Sequence, residues 1–249
     1  MRRPGYPNEG SSQLIKRIPA DARCFAVMDL TSSFFQCELP EKYRDLFAFV
    51  LPMGKFRYKR LPQGTSISPD VFNLLTDGEL RGNDWLMKNM NDILICARNF
   101  EELTERIIYV LQVCKRKNIK LSPKKFQAGE SVTFGGTEIT YNKSLESVDL
   151  APEERKIAAV KSMTIPTNKK HAQSLLGMLS QMNANFPDLT NRMKRHRALL
   201  NRTSENWKIT PELQKEFEEL KAFLDKKVHL SPIRTGNNVL LNTAPQSMA

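Results

Sequence analysis

The run CFAVMDL, Cys24 to Leu30, constrains the fold more than any other stretch of this chain. An unbroken apolar succession of this length suits a strand buried on both faces, which needs packing layers above and below it. It closes on an acid, Asp29, and a carboxylate at the end of such a strand must have a partner. The stretch LMKNMNDILICA, Leu86 to Ala97, offers one, because it reads as a hairpin with Asn91 and Asp92 at its turn. Spacing alone leaves two readings of that polar pair open. Asn and Asp are ordinary turn residues. Alternatively, Asp29 and Asp92 meet at one edge of a sheet and hold Mg²⁺, a hard ion that takes one or two protein carboxylates and fills its octahedron with water and substrate phosphates.

Composition narrows the partner. With 249 residues, 40% of them hydrophobic, the chain can bury a core split between one large domain and a smaller one. A net charge of +11 favours polyanions, nucleic acid before anionic membrane, although a solvated basic surface is the plainer use of such charge. Cys24, Cys37, Cys96 and Cys114 form no C-x-x-C pair and read as reduced, buried thiols of an intracellular protein. No apolar run approaches membrane-spanning length and no secretory signal opens the chain, so a cytoplasmic or nuclear protein without a membrane partner is expected.

Along the chain, residues 1–19 read as a lead-in with a short helical pattern at Leu14, Ile15 and Ile18. Leu46 to Pro62 holds two aromatic-rich segments around Pro52, Met53 and Gly54, the pattern of a hairpin. Ser68 as N-cap and Pro69 at the first helical position start a helix whose apolar face is Val71, Phe72, Leu74 and Leu75. Asn99 with Glu102 opens another, amphipathic through Leu103, Ile107, Val110, Leu111 and Cys114. Gly135 and Gly136 interrupt a strand pair, suggesting a bulge or a close approach of backbone to something else. From about Asp149 the pattern becomes helical with proline punctuation, and Thr210 and Pro211 start a helix with Leu213, Phe217, Leu220 and Leu224 as its buried stripe.

The order of the motifs carries a resemblance. MDLTSSFFQ, then LPQG followed by SP, then NMND, then LSPKKFQAGESVTFGGTEI, then LAPEERKIAAVKSMTIPTNKKHAQSLLGML resemble, in sequence, the reverse transcriptases of gypsy-type LTR retrotransposons. The likeness runs from about Ile18 to about Pro232 and implies an α+β fold: a palm over 20–148 with a fingers hairpin near 46–62, then a mainly helical thumb and connection over 149–235. It makes 1–19 a remnant of truncated fingers and 236–249 the start of an RNase H-like domain, with Ala244 in place of a catalytic aspartate. The implied activity is RNA-directed DNA polymerisation on an RNA or DNA template-primer with deoxynucleotide triphosphates, using two Mg²⁺ ions or Mn²⁺ in their place. Oligomeric state is left open.

Residue by residue, the resemblance implies Asp29 and Asp92 as catalytic metal carboxylates, with the Leu30 carbonyl as a further ligand. Phe34 becomes the steric gate against a 2′-hydroxyl, Gln63 lines the nucleotide pocket, and Lys124 is a charge near the triphosphate. Phe134, Gly135 and Gly136 correspond to the primer grip. Arg192, Lys194, Arg195 and Arg197, with His196 and Arg202, fill about three helical turns and suit phosphate contact. The bland alternatives are core packing for Phe34, a polar turn for Gln63, and solvated charge for the basic residues.

The departures matter as much. Asn89 replaces the family's tyrosine and Asn91 its first aspartate; an amide offers an oxygen but no net charge. Ser32-Ser33 replaces S-G, and F-L-G-Y becomes Phe134-Gly135-Gly136-Thr137. Two expectations therefore compete: an impaired reverse transcriptase, or a catalytically inactive remnant that still binds nucleic acid. A protein-interaction scaffold is the third.

Overall fold

The computed structural model describes residues 9–186, 189–201, 207, 209–225 and 230. Its strands are β1 (Cys24–Asp29), β2 (Ala48–Leu51), β3 (Gly54–Arg57), β4 (Leu86–Asn89), β5 (Asp92–Ala97), β6 (Gln127–Gly129), β7 (Ser131–Phe134), β8 (Thr137–Asn142) and β9 (Ser147–Pro152). Its α-helices are α1 (Ser11–Leu14), α2 (Ser33–Gln36), α3 (Glu41–Arg44), α4 (Ser68–Asp77), α5 (Phe100–Arg116), α6 (Glu154–Ser162), α7 (Lys169–Met182), α8 (Leu189–Arg192), α9 (Lys194–Ala198) and α10 (Pro211–Phe223). This is an α+β architecture.

β1 is interior to an antiparallel sheet of order β4-β5-β1-β6. Its continuous apolar run follows from having a core on each side. Strand side chains alternate between faces, so Ala26, Met28, Ile93 and Ile95 pack with Phe72 and with Leu103, Val110 and Val113 of α5. Phe25, Val27, Leu94 and Cys96 face the opposite way, onto Leu14, Ile15, Ile18, Val132, Phe134 and Ile139. The end of the expected lead-in thus closes the second core. All four cysteines are free and buried.

Local signals set several boundaries. The Asn99 side chain accepts from the Glu102 amide at 2.8 Å, while the Glu102 carboxylate takes the Arg98 amide at 2.8 Å. Arg98 and Arg106 hold that carboxylate, and its pKa falls to about 2 through the Arg98 hydrogen bonds first. Asn168 caps α7 through the His171 amide, and Thr210 caps α10 through the Leu213 amide. Leu213, Phe217, Leu220 and Leu224 are all buried, as their spacing requires.

Other expectations are corrected. Ser68 is the first residue of α4 rather than its cap, and its buried hydroxyl donates to the Pro62 carbonyl at 2.7 Å. Leu74 and Leu75 are 62% and 51% exposed, whereas Asp70, Phe72, Asn73 and Thr76 are buried. The reason is Lys88, whose ammonium lies inside and needs partners: Asn73 Oδ1 at 3.0 Å and Asp77 Oδ1 at 2.9 Å come from that helix face. Burial pulls the Lys88 pKa down and Asp77 opposes it. On α5, Leu111 is 45% exposed and Val113 takes the buried place. Gly135 and Gly136 make no bulge; they form the tight turn between β7 and β8, with φ of +57° and +78°.

The helical part begins at Glu154, after β9 has completed an antiparallel sheet of order β7-β8-β9. Its core joins Ile157, Val160, Leu175, Leu179, Phe186, Met193, Phe217 and Leu220. The basic stretch does not form one helix, because α8 and α9 are separated at Met193, which is buried. His196 also faces inward, 1% exposed and 6.0 Å from the Phe217 ring. Arg202 and residues 231–249, including Ala244, lie outside the described residues.

Candidate active site

The β1–β5 register pairs Asp29 with Asp92, so the last residue of one strand lies opposite the first residue of the other. The turn between β4 and β5 is Met90-Asn91, with Met90 at a left-handed φ of +53°. Asn91 is tied back through its carbonyl, which accepts from the Leu30 amide at 2.8 Å. On the other side, the Ser122 amide donates to the Asp29 carbonyl at 2.8 Å and the Thr31 amide to Lys120 at 3.0 Å. Gln36 locks the same segment, donating to the Lys120 carbonyl at 2.9 Å and accepting from its amide at 2.6 Å.

Charge is concentrated here. Asp29 is 13% exposed and forms an ion pair with Lys125 Nζ at 3.0 Å. Burial raises the Asp92 pKa; the Asp29 charge and a hydrogen bond between the two carboxyl groups raise it further, against a smaller pull from Lys125. Asn91 Oδ1 is buried and has no hydrogen-bond partner. An orphaned amide oxygen of this kind costs free energy unless something meets it.

Asp29, Asp92, Lys124, Lys125, Gln127 and Thr133 line an open cavity of about 270 Å³. Of the residues expected from sequence, the structure gathers Asp29, Leu30, Asn91, Asp92 and Lys124 at this end of the sheet. Phe34 and Gln63 are not in that cavity's wall. Phe34 is half-buried, its ring 5.3 Å from Phe72, and Gln63 is exposed beside buried Leu61 and Pro62. Phe134 is 1% exposed. The Gly135-Gly136 turn runs close to this chain's own atoms: a Cβ on Gly135 would lie 2.3 Å from Ser11 Cβ, and one on Gly136 1.8 Å from Lys156 Nζ. Arg192 lies over the Phe223 ring at 4.3 Å, and Lys194 and Arg197 are exposed on α9.

Sequence reasoning missed Lys125. SPKKF presents two adjacent lysines, and no local rule says which one a short 3₁₀ turn over Pro123–Lys125 will send to Asp29.

The donors suit a hard divalent cation. The two carboxylates of the cavity are oxygen donors, and an ammonium already stands against one of them as a cation does; Leu30 and Asn91 adjoin them in sequence but do not line the cavity. Among the described residues no group of three or more His, Cys, Asp or Glu side chains could hold a metal. The cluster thus has less negative charge than a three-acid site.

Fold and site define an α+β protein with an acidic, cation-ready centre at the turn end of an antiparallel sheet. Residues 3–139 match the family model described as reverse transcriptase (RNA-dependent DNA polymerase). The chain belongs to that family. It is 26% identical over 209 residues to the retrovirus-related Pol polyprotein from transposon 412 of Drosophila melanogaster, covering 82% of this chain and 16% of that protein. It is 28% identical over 213 residues to the enzymatic polyprotein of cauliflower mosaic virus (strain D/H), covering 81% of this chain and 30% of that protein. The chain thus spans less than a third of either relative. Among solved structures, the foamy viral protease-reverse transcriptase in complex with an RNA/DNA hybrid matches with a TM-score of 0.81 at 21% identity, over 91% of this chain and 30% of that one. The same viral protein in complex with dsDNA matches with a TM-score of 0.80 at 21% identity, over 95% and 48%. These likenesses carry the fold. Among the described residues no helix is long and apolar enough to cross a membrane.

Proposed function

We propose that this chain is the RNA-directed DNA polymerase palm of a retroelement Pol polyprotein, with its helical part serving as thumb and connection, impaired by the loss of one metal carboxylate. The observation that carries the reading is the register pairing of Asp29 with Asp92 at the mouth of a cavity that also takes Lys124 and Lys125. The reaction is attack of a primer 3′-hydroxyl on the α-phosphate of a deoxynucleotide triphosphate, with pyrophosphate leaving.

Asp29, Asp92, the Leu30 carbonyl and Asn91 Oδ1 would hold Mg²⁺, or Mn²⁺ in its place. When bound, such an ion supplies the positive charge that offsets charge developing on the phosphate oxygens. The chain's own residues do the rest. Lys124 and Lys125 bring positive charge to the cavity beside the carboxylates, and Phe34, whose ring packs on Phe72 outside that cavity's wall, is assigned the steric gate by the family likeness of its motif. Gln63 is exposed outside that cavity's wall, and its role at the nucleotide rests on the family likeness of LPQG. Exposed Gly135 offers backbone to a primer end. Arg192, Lys194, Arg195 and Arg197 neutralise phosphates along a duplex, which makes binding steeply salt-dependent.

The second reading, a binding remnant without chemistry, is favoured by Asn91 and by the Lys125–Asp29 ion pair, which leave the centre balanced without a metal. Primer extension on poly(rA)·oligo(dT) decides between them, run in Mg²⁺ and in Mn²⁺ with Asp29→Asn as control. Extension above that control, stronger in Mn²⁺, is expected. Background extension with retained hybrid binding gives the second reading.

A further inference from the structure

We propose that Lys125 is a built-in counter-cation of the carboxylate pair, one that an incoming divalent ion must displace. The inference rests on the reading of Asp29 and Asp92 as metal carboxylates and adds a competitor to it.

Residues on both sides of Lys125 are pinned to β1: Leu121 bridges Leu30, the Ser122 amide bonds the Asp29 carbonyl, and Gln127 pairs with Val27. The backbone at Lys125 therefore has no freedom to drift away, and its four-carbon stem brings the ammonium within reach of Asp29. There Nζ lies 3.0 Å from Asp29 Oδ2, close enough for a charge-assisted hydrogen bond. The two partners differ in setting. Asp29 is 13% exposed and fixed by the strand, whereas Lys125 is 67% exposed and can swing into solvent without disturbing packing.

Physical chemistry makes the lysine useful. Two carboxylates held together repel each other, and a nearby cation relieves that cost. A centre with Asn91 in place of an acid has charge for one strong cationic partner, and the tethered ammonium is present at high effective concentration. Divalent binding then requires breaking the ion pair, which lowers apparent metal affinity. Lys124 lines the same cavity and contributes general positive charge, so it separates a specific ion pair from a mere field.

The test measures metal binding by isothermal titration with Mn²⁺ for the wild type, Lys125→Met and Lys124→Met, with melting in EDTA alongside. Lys125→Met is expected to bind Mn²⁺ about tenfold more tightly, with a distinctly smaller gain for Lys124→Met. In EDTA, Lys125→Met should melt about 2–4 °C lower, and should have no such effect in an Asp29→Asn background. Equal Mn²⁺ affinity in wild type and Lys125→Met, or equal gains in the two lysine variants, overturns the proposal and leaves the palm reading in place. Absence of Mn²⁺ binding in every variant overturns both.

Discussion

Asn91→Asp is the perturbation that most directly interrogates the centre. In the wild type the Asn91 amide oxygen is buried without a partner, next in sequence to Asp92, which the strand register sets opposite Asp29. Substitution replaces a dipole with a full charge at nearly constant volume. At an effective dielectric near 20, two unit charges about 4 Å apart interact by about 4 kcal/mol. A divalent ion doubles that attraction, and dehydration removes much of it. The net is comparable to one preorganised electrostatic group, about 2.7–4 kcal/mol or on the order of a hundredfold or more in rate. We therefore expect Asn91→Asp to raise Mg²⁺-dependent primer extension by on the order of a hundredfold, and Asp92→Asn in the same background to abolish it. Without metal, the third carboxylate meets like charge balanced by one ammonium at 3.0 Å, so urea unfolding in EDTA should show a loss of about 1–2 kcal/mol, recovered on adding metal. Extension that stays at background in both Mg²⁺ and Mn²⁺, while Mn²⁺ binding tightens, would refute the idea that charge at this position limits the chemistry.

Three further outcomes are expected. Replacing Lys194 and Arg197 by Ala should weaken binding to an RNA–DNA hybrid alike for all sequences and flatten the dependence of log affinity on log salt by about one to two units, checked by fluorescence anisotropy across salt. Phe34→Ala should raise ribonucleotide incorporation relative to deoxynucleotide incorporation in extension assays, and should also lower the melting temperature because the ring packs against Phe72. His196 is 1% exposed, and burial lowers its pKa against the weaker pull of a backbone hydrogen bond at Arg192 and of Glu216. The unfolded chain therefore binds the proton more readily, so its contribution to stability is whole above about pH 6.5 and falls as pH drops below it. Urea midpoints at pH 7.5 and 5.5 should separate more for the wild type than for His196→Phe.

What the sequence determined by itself was whatever depends on neighbours within one turn or one strand. The apolar run from Cys24 carried β1, and the acid at its end and the Asn91-Asp92 pair carried the two sides of the centre, although the turn itself is Met90-Asn91 and Asp92 already belongs to β5; Asn99 and Thr210 with Pro211 marked helix starts. These are periodicities and caps, written in adjacent residues. Tertiary structure alone decided the rest. Leu74 and Leu75 look like a core face until Lys88, from another element, draws the polar side of α4 inward. His196 reads as part of a basic stripe until Phe217 covers it. Lys124 and Lys125 are interchangeable in the sequence, and only the pinning of their segment to β1 selects which ammonium reaches Asp29. The cost of burying a charge, or of leaving an amide oxygen unmet, is set by what stands across from it in space. No local pattern records that.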